Sequence, residues 1–143
     1  MITRKAEAEW RGPVREGGGT LKLGSGAFEG PYSFKSRFEG GIGTNPEELL
    51  GASHAGCFSM ALSLILTMAG HPPSRIHTTA KVHLEKTPDG YRIAAIDLET
   101  EAVVPGLAET VFADMAQKAK VGCPISKALA SVDIRLAAKL LQD

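Results

Sequence analysis

The stretch Asn45-Pro46-Glu47-Glu48-Leu49-Leu50-Gly51-Ala52-Ser53-His54-Ala55-Gly56-Cys57-Phe58-Ser59-Met60-Ala61-Leu62 decides the fold of this 143-residue chain. Asn45 has the side chain of an N-cap, Pro46 suits a first helical position, and Glu47 and Glu48 put carboxylates in the positive first turn. The spacing predicts a helix to about Ala69, with Gly70 as its stop and Pro72-Pro73 preventing continuation. Residues 49–69 contain no Asp, Glu, Lys or Arg, so on length alone the segment would cross a bilayer. Ser53, His54, Ser59, Ser63 and Thr67, with Gly51 and Gly56, argue instead for a buried helix in a soluble fold. We therefore expect the central helix of the fold and no membrane partner.

Working upstream, short alternating segments read as strands. Ala6–Arg11 alternates around Ala8 and Trp10, residues 20–23 around Leu21 and Leu23, and residues 32–37 around Tyr32 and Phe34. Gly17-Gly18-Gly19 reads as the turn between the first two; it lacks the Lys-Ser/Thr ending of a phosphate loop. On a strand, Arg37 would lie opposite Tyr32 and Phe34. Gly40-Gly41-Ile42-Gly43 then breaks the pattern.

Downstream, Ile76, Thr78, Ala80, Val82 and Leu84 alternate with polar residues as in a half-buried strand, and Thr87-Pro88-Asp89-Gly90 is a turn. Residues 91–104 return as a second strand, completing a hairpin, with a bulge expected between Ala95 and Ile96 where the apolar phase slips. Residues 107–121 have helical spacing through Leu107, Val111 and Met115, Cys123-Pro124 opens a short helix to Ala130, and a last strand carries Val132, Ile134, Leu136 and Ala138 on one face. No repeat or second domain is evident, so one domain over 1–143 is expected.

Sixteen basic residues balance sixteen acidic ones, which removes the long-range field that draws a protein to nucleic acid. Met1–Trp10 has no continuous apolar run of the kind a secretory signal requires, and a cytoplasmic location is expected. In such a reducing compartment Cys57 and Cys123 are not expected to form a permanent staple. They are either inert core residues, the commoner fate of free cysteine, or they do redox work.

Three pieces of sequence turn that balance. The helical stretch above, Gly122-Cys123-Pro124 and Arg37-Phe38-Glu39-Gly40 resemble the OsmC/Ohr family of organic hydroperoxide reductases over essentially the whole chain, and the length, element order and cysteine placement are more similar to the OsmC branch than to Ohr. The resemblance implies an α+β fold in which antiparallel sheets wrap around a long central helix carrying Cys57, built as an intertwined homodimer. It implies a thiol-dependent peroxidase that reduces organic hydroperoxides to alcohols, with hydrogen peroxide a poorer substrate. Carried onto matching positions, it makes Cys57 the peroxidatic cysteine, Cys123 the resolving cysteine and Arg37 and Glu47 their polar partners. No metal, flavin or haem is implied; the reductant is an external dithiol, for which the family suggests dihydrolipoyl groups.

Residue chemistry constrains the same site. Thiolate cleaves a peroxide O–O bond, so the attacking sulfur needs a cation to favour its ionised form and to hold the departing oxygen. Mid-helix and in apolar surroundings, Cys57 would otherwise stay neutral. Arg37 supplies the charge, and Glu47 is suited to orienting the guanidinium through a bidentate pair. Glu47 also precedes Cys57 by ten residues, which at about 1.5 Å per residue separates them by roughly 15 Å on one straight helix. Arg37 and Glu47 are thus expected to reach Cys57 from a second subunit. As purely structural residues, Glu47 would be a helix-start charge and Arg37 an exposed strand residue. Position alone, at a helix start, would nominate Cys123 as the attacker; the family resemblance points to Cys57.

His54, three residues before Cys57, permits a Cys-His pair of the kind found in thiol hydrolases, although a helix-packing histidine is the blander reading and nothing completes a metal set. His71, His77 and His83 read as loop or strand-surface residues. Leu49, Leu50, Phe58, Met60 and Met115 are candidates to line an apolar substrate pocket, or else to fill the core. Two competing functions follow: a non-redox Cys57/His54 hydrolase that ignores loss of Cys123, and a non-catalytic binding dimer whose thiols do not react with peroxide.

Overall fold

The computed structural model of the protein describes residues 1–142, and it separates into two compact units, residues 1–49 and residue 50 onward. In chain order the elements are β1 (Ala6–Arg11), β2 (Gly18–Leu23), β3 (Glu29–Tyr32), α1 (Phe34–Phe38), α2 (Pro46–Met68), β4 (Arg75–Thr87), β5 (Gly90–Val103), α3 (Glu109–Gly122), α4 (Pro124–Ala128) and β6 (Asp133–Leu141). This is an α+β fold with two three-stranded sheets and one long helix.

In the N-terminal unit, β1, β2 and β3 form an antiparallel meander. One cross-strand row reads Trp10, Gly19, Tyr32. Gly19 belongs to β2 rather than to the expected glycine turn, and it has no side chain for a steric reason. A Cβ there would come within 2.5 Å of both the Glu9 carbonyl oxygen and the Tyr32 ring. Its absence lets the Trp10 and Tyr32 rings meet edge to face across β2, centroids 5.3 Å apart.

The strand expected over 32–37 is corrected. β3 stops at Tyr32, because Ser33 caps a helix: its hydroxyl accepts from the Ser36 N–H at 3.1 Å while Ser36 Oγ accepts from the Ser33 N–H at 2.8 Å. This reciprocal capping box starts α1. Phe34 and Phe38 are one helical turn apart rather than alternating on a strand, their rings 4.9 Å centroid to centroid. The turn that follows is tied back to α1, since Ser36 Oγ donates to the Thr44 carbonyl at 2.7 Å and Asn45 Nδ2 to the Ser36 carbonyl at 3.1 Å. Asn45 Oδ1 in turn accepts from the Glu48 N–H at 2.8 Å, as an N-cap should.

The C-terminal unit holds the core. Along α2, His54, Phe58, Leu62 and Leu66 recur every four residues and are fully buried. They pack with Ile96, Leu98, Ala102 and Val104 and with Phe112, Ala116 and Ala119 of α3. Gly51 brings α2 close to β4, for a Cβ there would lie 3.4 Å from Val82 Cγ2 and 3.5 Å from the Ala80 carbonyl oxygen. Ser59 Oγ donates to Thr78 Oγ1 at 2.8 Å, which is linked to Thr100 Oγ1 at 2.9 Å, so this hydroxyl of an otherwise apolar helix is satisfied by the sheet.

β4 and β5 form the expected hairpin, and β6 then pairs parallel to β5. The second sheet is therefore mixed, because α3 and α4 make a helical crossover that returns the chain in the direction of β5. The bulge lies one residue earlier than the sequence suggested: pairing shifts between His83 and Leu84, leaving Ala94 as the extra residue on β5. Beyond it Ile96, Leu98, Thr100 and Ala102 all point inward.

Candidate active site

The two cysteines come together at the junction of α2 and α4. Cys57 is on α2, three residues past His54; Cys123 follows α3 and is the N-cap of α4, with Pro124 at the first helical position. Both are free thiols, Cys57 half-buried and Cys123 fully buried. The two thiols are close enough to act on each other's ionisation. Cys123 Sγ also accepts from the Ser126 N–H at 3.4 Å.

Burial is the largest influence on both sulfurs, and it pushes both upward. At Cys57 the hydrogen bond to Cys123 adds to burial and outweighs the Ile125 N–H, so this thiol lies above its ordinary value. At Cys123 burial is overcome by the hydrogen bond from Cys57, then by the N–H and hydroxyl of Ser126 and the N–H of Ile125, and this thiol lies below its ordinary value. Among the described residues of the C-terminal unit, no Lys or Arg acts on either sulfur. Of the two thiols Cys123 is thus the easier to ionise, and favouring a thiolate at Cys57 takes a cation beside it.

His54 does not serve Cys57. Its Nε2 lies 2.8 Å from Ser126 Oγ, both residues are buried, and desolvation holds the imidazole below its ordinary value and therefore neutral. Ser126 was not singled out in the sequence; its signal was its position three residues past an N-capping cysteine.

In the N-terminal unit, Arg37 projects from α1 and Glu47 from the first turn of α2. Nε donates to Oε1 at 2.9 Å and Nη2 to Oε2 at 3.0 Å, with Glu47 almost buried. The guanidinium carbon sits 5.3 Å above the Phe38 ring centroid. Beside it is a pocket of about 220 Å³ lined by Trp10, Val14, Tyr32, Ser33, Phe34, Arg37 and Phe38. This aromatic pocket was missed in the sequence because its rings come from two strands and a one-turn helix.

None of the five residues expected to line a pocket is among those that line this cavity. Phe58 is wholly within the core, Leu50 and Met115 are half-buried against it, Leu49 is half-buried at the end of the N-terminal unit, and Met60 is 77% exposed on α2. Met60, Leu64 and Met68 form an exposed apolar stripe along that helix at four-residue spacing. No group of three or more His, Cys, Asp or Glu side chains able to hold a metal occurs among the described residues.

Residues 38–137 match the sequence profile of the OsmC-like protein family. The chain is 50% identical over 129 residues to the peroxiredoxin OsmC of Escherichia coli K12, covering 90% of each chain. It is 30% identical to an organic hydroperoxide resistance protein of Xanthomonas axonopodis pv. citri over 68% of each chain. Among solved structures, an organic hydroperoxide resistance protein OsmC from Legionella pneumophila superposes with a TM-score of 0.74 at 25% identity, over 99% of this chain and 98% of that one.

Proposed function

We propose, for a chain that belongs to the OsmC-like protein family and is a peroxidase, that it reduces organic hydroperoxides through Cys57 and Cys123 in a site completed by a second copy of the chain. The observation that carries this reading is the meeting of two free thiols that act on each other's ionisation, one on the core helix and one capping α4. In this cycle the Cys57 thiolate attacks the distal peroxide oxygen. An S–O bond forms as the O–O bond breaks, Cys57 is oxidised to a sulfenic acid, and the departing alkoxide takes a proton to leave as alcohol. Cys123, having released its proton, then attacks the Cys57 sulfur; the S–S bond forms, the S–O bond breaks, and the departing hydroxide takes up a proton to leave as water. An external dithiol, of the dihydrolipoyl class, reopens the disulfide, and such cycling suits the reducing cytoplasm.

Cys57 becomes the attacker only if a cation beside it favours its thiolate. Arg37, fixed by Glu47 on a rigid fork, has the geometry to hold a peroxide oxygen and stabilise an adjacent thiolate. We assign it to the Cys57 of the partner subunit. The exposed Met60, Leu64 and Met68 stripe supports a homodimer, since an apolar helix face of this kind calls for a covering surface. A membrane fits the same helix less well, because its Phe58 face is already covered by the sheet. The aromatic pocket beside Arg37 is suited to the organic part of the substrate.

Single-turnover assays of Cys57→Ser and Cys123→Ser test the assignment. Cys123→Ser should consume one equivalent of an organic hydroperoxide and accumulate a sulfenic acid, whereas Cys57→Ser should consume none. Turnover of one equivalent by Cys57→Ser would reverse the two roles. A peroxide-inert wild type would leave only a binding dimer.

A further inference from the structure

His54 is a buried, neutral, titratable side chain that the peroxide cycle described above does not use. Its Nε2 contacts Ser126 Oγ at 2.8 Å, while Nδ1 is buried without a hydrogen-bond partner among the described residues. That asymmetry selects a tautomer. If Nδ1 carried the proton, a buried N–H would be orphaned, which folded proteins rarely tolerate; an unpaired acceptor lone pair is the lesser cost. The proton therefore sits on Nε2 and is donated to Ser126 Oγ. With a lone pair of its oxygen engaged by His54, the Ser126 hydroxyl has its own proton left to offer to Cys123, whose thiol the Ser126 side chain lowers. The Ser126 N–H donates to the same sulfur.

We propose that His54 and Ser126 form a one-way donor relay that stabilises negative charge on Cys123 as it becomes the nucleophile of the disulfide-forming step. Ser126 touches the reacting sulfur; His54 is a positioning residue that acts through Ser126. The relay runs from α2, the helix that carries Cys57, to α4, which Cys123 caps, so it also fixes the register between the two helices that present the sulfurs. Its work belongs to the second half of the cycle, when the Cys123 electron pair forms the S–S bond and the hydroxide departs from Cys57. Loss of a hydrogen bond to an ionised group costs a factor of about ten or more in the equilibrium it supports.

The inference rests on the assignment of Cys123 as resolving cysteine, and two readouts separate its failure from failure of that assignment. The first uses the Cys57→Ser background, where Cys123 is the only thiol and its ultraviolet thiolate absorbance can be followed with pH. Adding Ser126→Ala or His54→Leu should raise the titration midpoint of Cys123, and His54→Gln, which keeps an N–H donor, should restore most of the shift. An unmoved midpoint in Ser126→Ala overturns the relay whichever cysteine attacks peroxide. The second uses the chain with both cysteines. In Ser126→Ala and His54→Leu, disulfide formation should slow by about tenfold relative to hydroperoxide consumption, and a sulfenic acid trap should capture Cys57. A ratio equal to wild type would overturn the role in resolution. Consumption of hydroperoxide by Cys57→Ser alone would instead overturn the assignment while leaving the titration result standing. Ser126→Thr, which keeps the hydroxyl, should behave as wild type in both assays if it retains the wild-type thermal midpoint.

Discussion

Arg37 and Glu47 face each other as fork to carboxylate, both nitrogens engaged at 2.9 and 3.0 Å. The pair is set by two helix starts, since the capping box at Ser33 aims α1 and the Asn45 cap aims α2, while Ser36 ties the two caps together. A guanidinium held this way is preorganised, and its remaining nitrogen edge is what a peroxide would use. Arg37→Lys keeps the charge and loses the fork, so kcat/KM for an organic hydroperoxide should fall by about a hundredfold. Glu47→Gln leaves the guanidinium in place but loosely oriented and should cost about tenfold. Equal activity of Arg37→Lys and wild type in a steady-state assay would remove Arg37 from the site.

If the cation comes from the other subunit, two inactive variants should rescue each other. Arg37→Leu and Cys57→Ser, unfolded and refolded together, should regain roughly a quarter of wild-type activity, because half of randomly paired dimers are mixed and each contains one complete site. Refolded separately, neither should recover. Leu64→Glu, in the exposed stripe, should give a monomer by sedimentation with little peroxidase activity. A fully active monomer would show that one chain suffices.

Much of this was readable in the sequence where a signal was local and periodic. Asn45-Pro46-Glu47-Glu48 announced α2, and Ile76 to Leu84 announced β4 by alternation alone. Residues 32–37 failed for an equally physical reason. Phe34 and Phe38 fit a helical turn, and Ser33 with Ser36 makes a capping box without the usual Glu or Gln, so the strand-like alternation from Tyr32 ran on past the point where the backbone turned. The cysteine pair was legible as a motif, but its partner Ser126 depends on a contact between residues 72 positions apart. The Arg37 pocket depends on a cross-strand row through Gly19, which spacing along the chain does not reveal.

The core should tolerate little loss of volume. Leu62 and Phe112 are buried at the contact of α2 with α3 and the second sheet. Leu62→Ala should lower the unfolding free energy by about 2–5 kcal/mol and Phe112→Ala by about 3–5 kcal/mol. Because Leu62 lies on the same helix as Cys57, the Leu62 variant should also blur the placement of the sulfur and slow disulfide formation after peroxide addition. Denaturant unfolding read beside thiol counting checks both effects.

Away from the site, Asp97 on β5 accepts from both Arg135, with Nη2 at 3.1 Å, and His83 Nε2 at 2.7 Å. The Arg135 hydrogen bond first, and that of His83 second, hold the Asp97 carboxyl down to about 2 against an ordinary 3.8. A carboxyl whose folded value is depressed stabilises the fold fully above its unfolded value, and that contribution is lost as pH falls from about 3.8 through about 2. Asp97→Asn has no such proton to take up. Its thermal midpoint should therefore lie below that of wild type at neutral pH, and the gap should close as the pH is lowered through that window. Arg135 links β6 to β5 through this contact, so Arg135→Leu should reproduce the convergence, whereas Lys139→Leu, farther along the same strand, should not. Parallel midpoint curves for Asp97→Asn and wild type between pH 4 and pH 2 would mean that the carboxylate contributes nothing to holding β6 in the sheet.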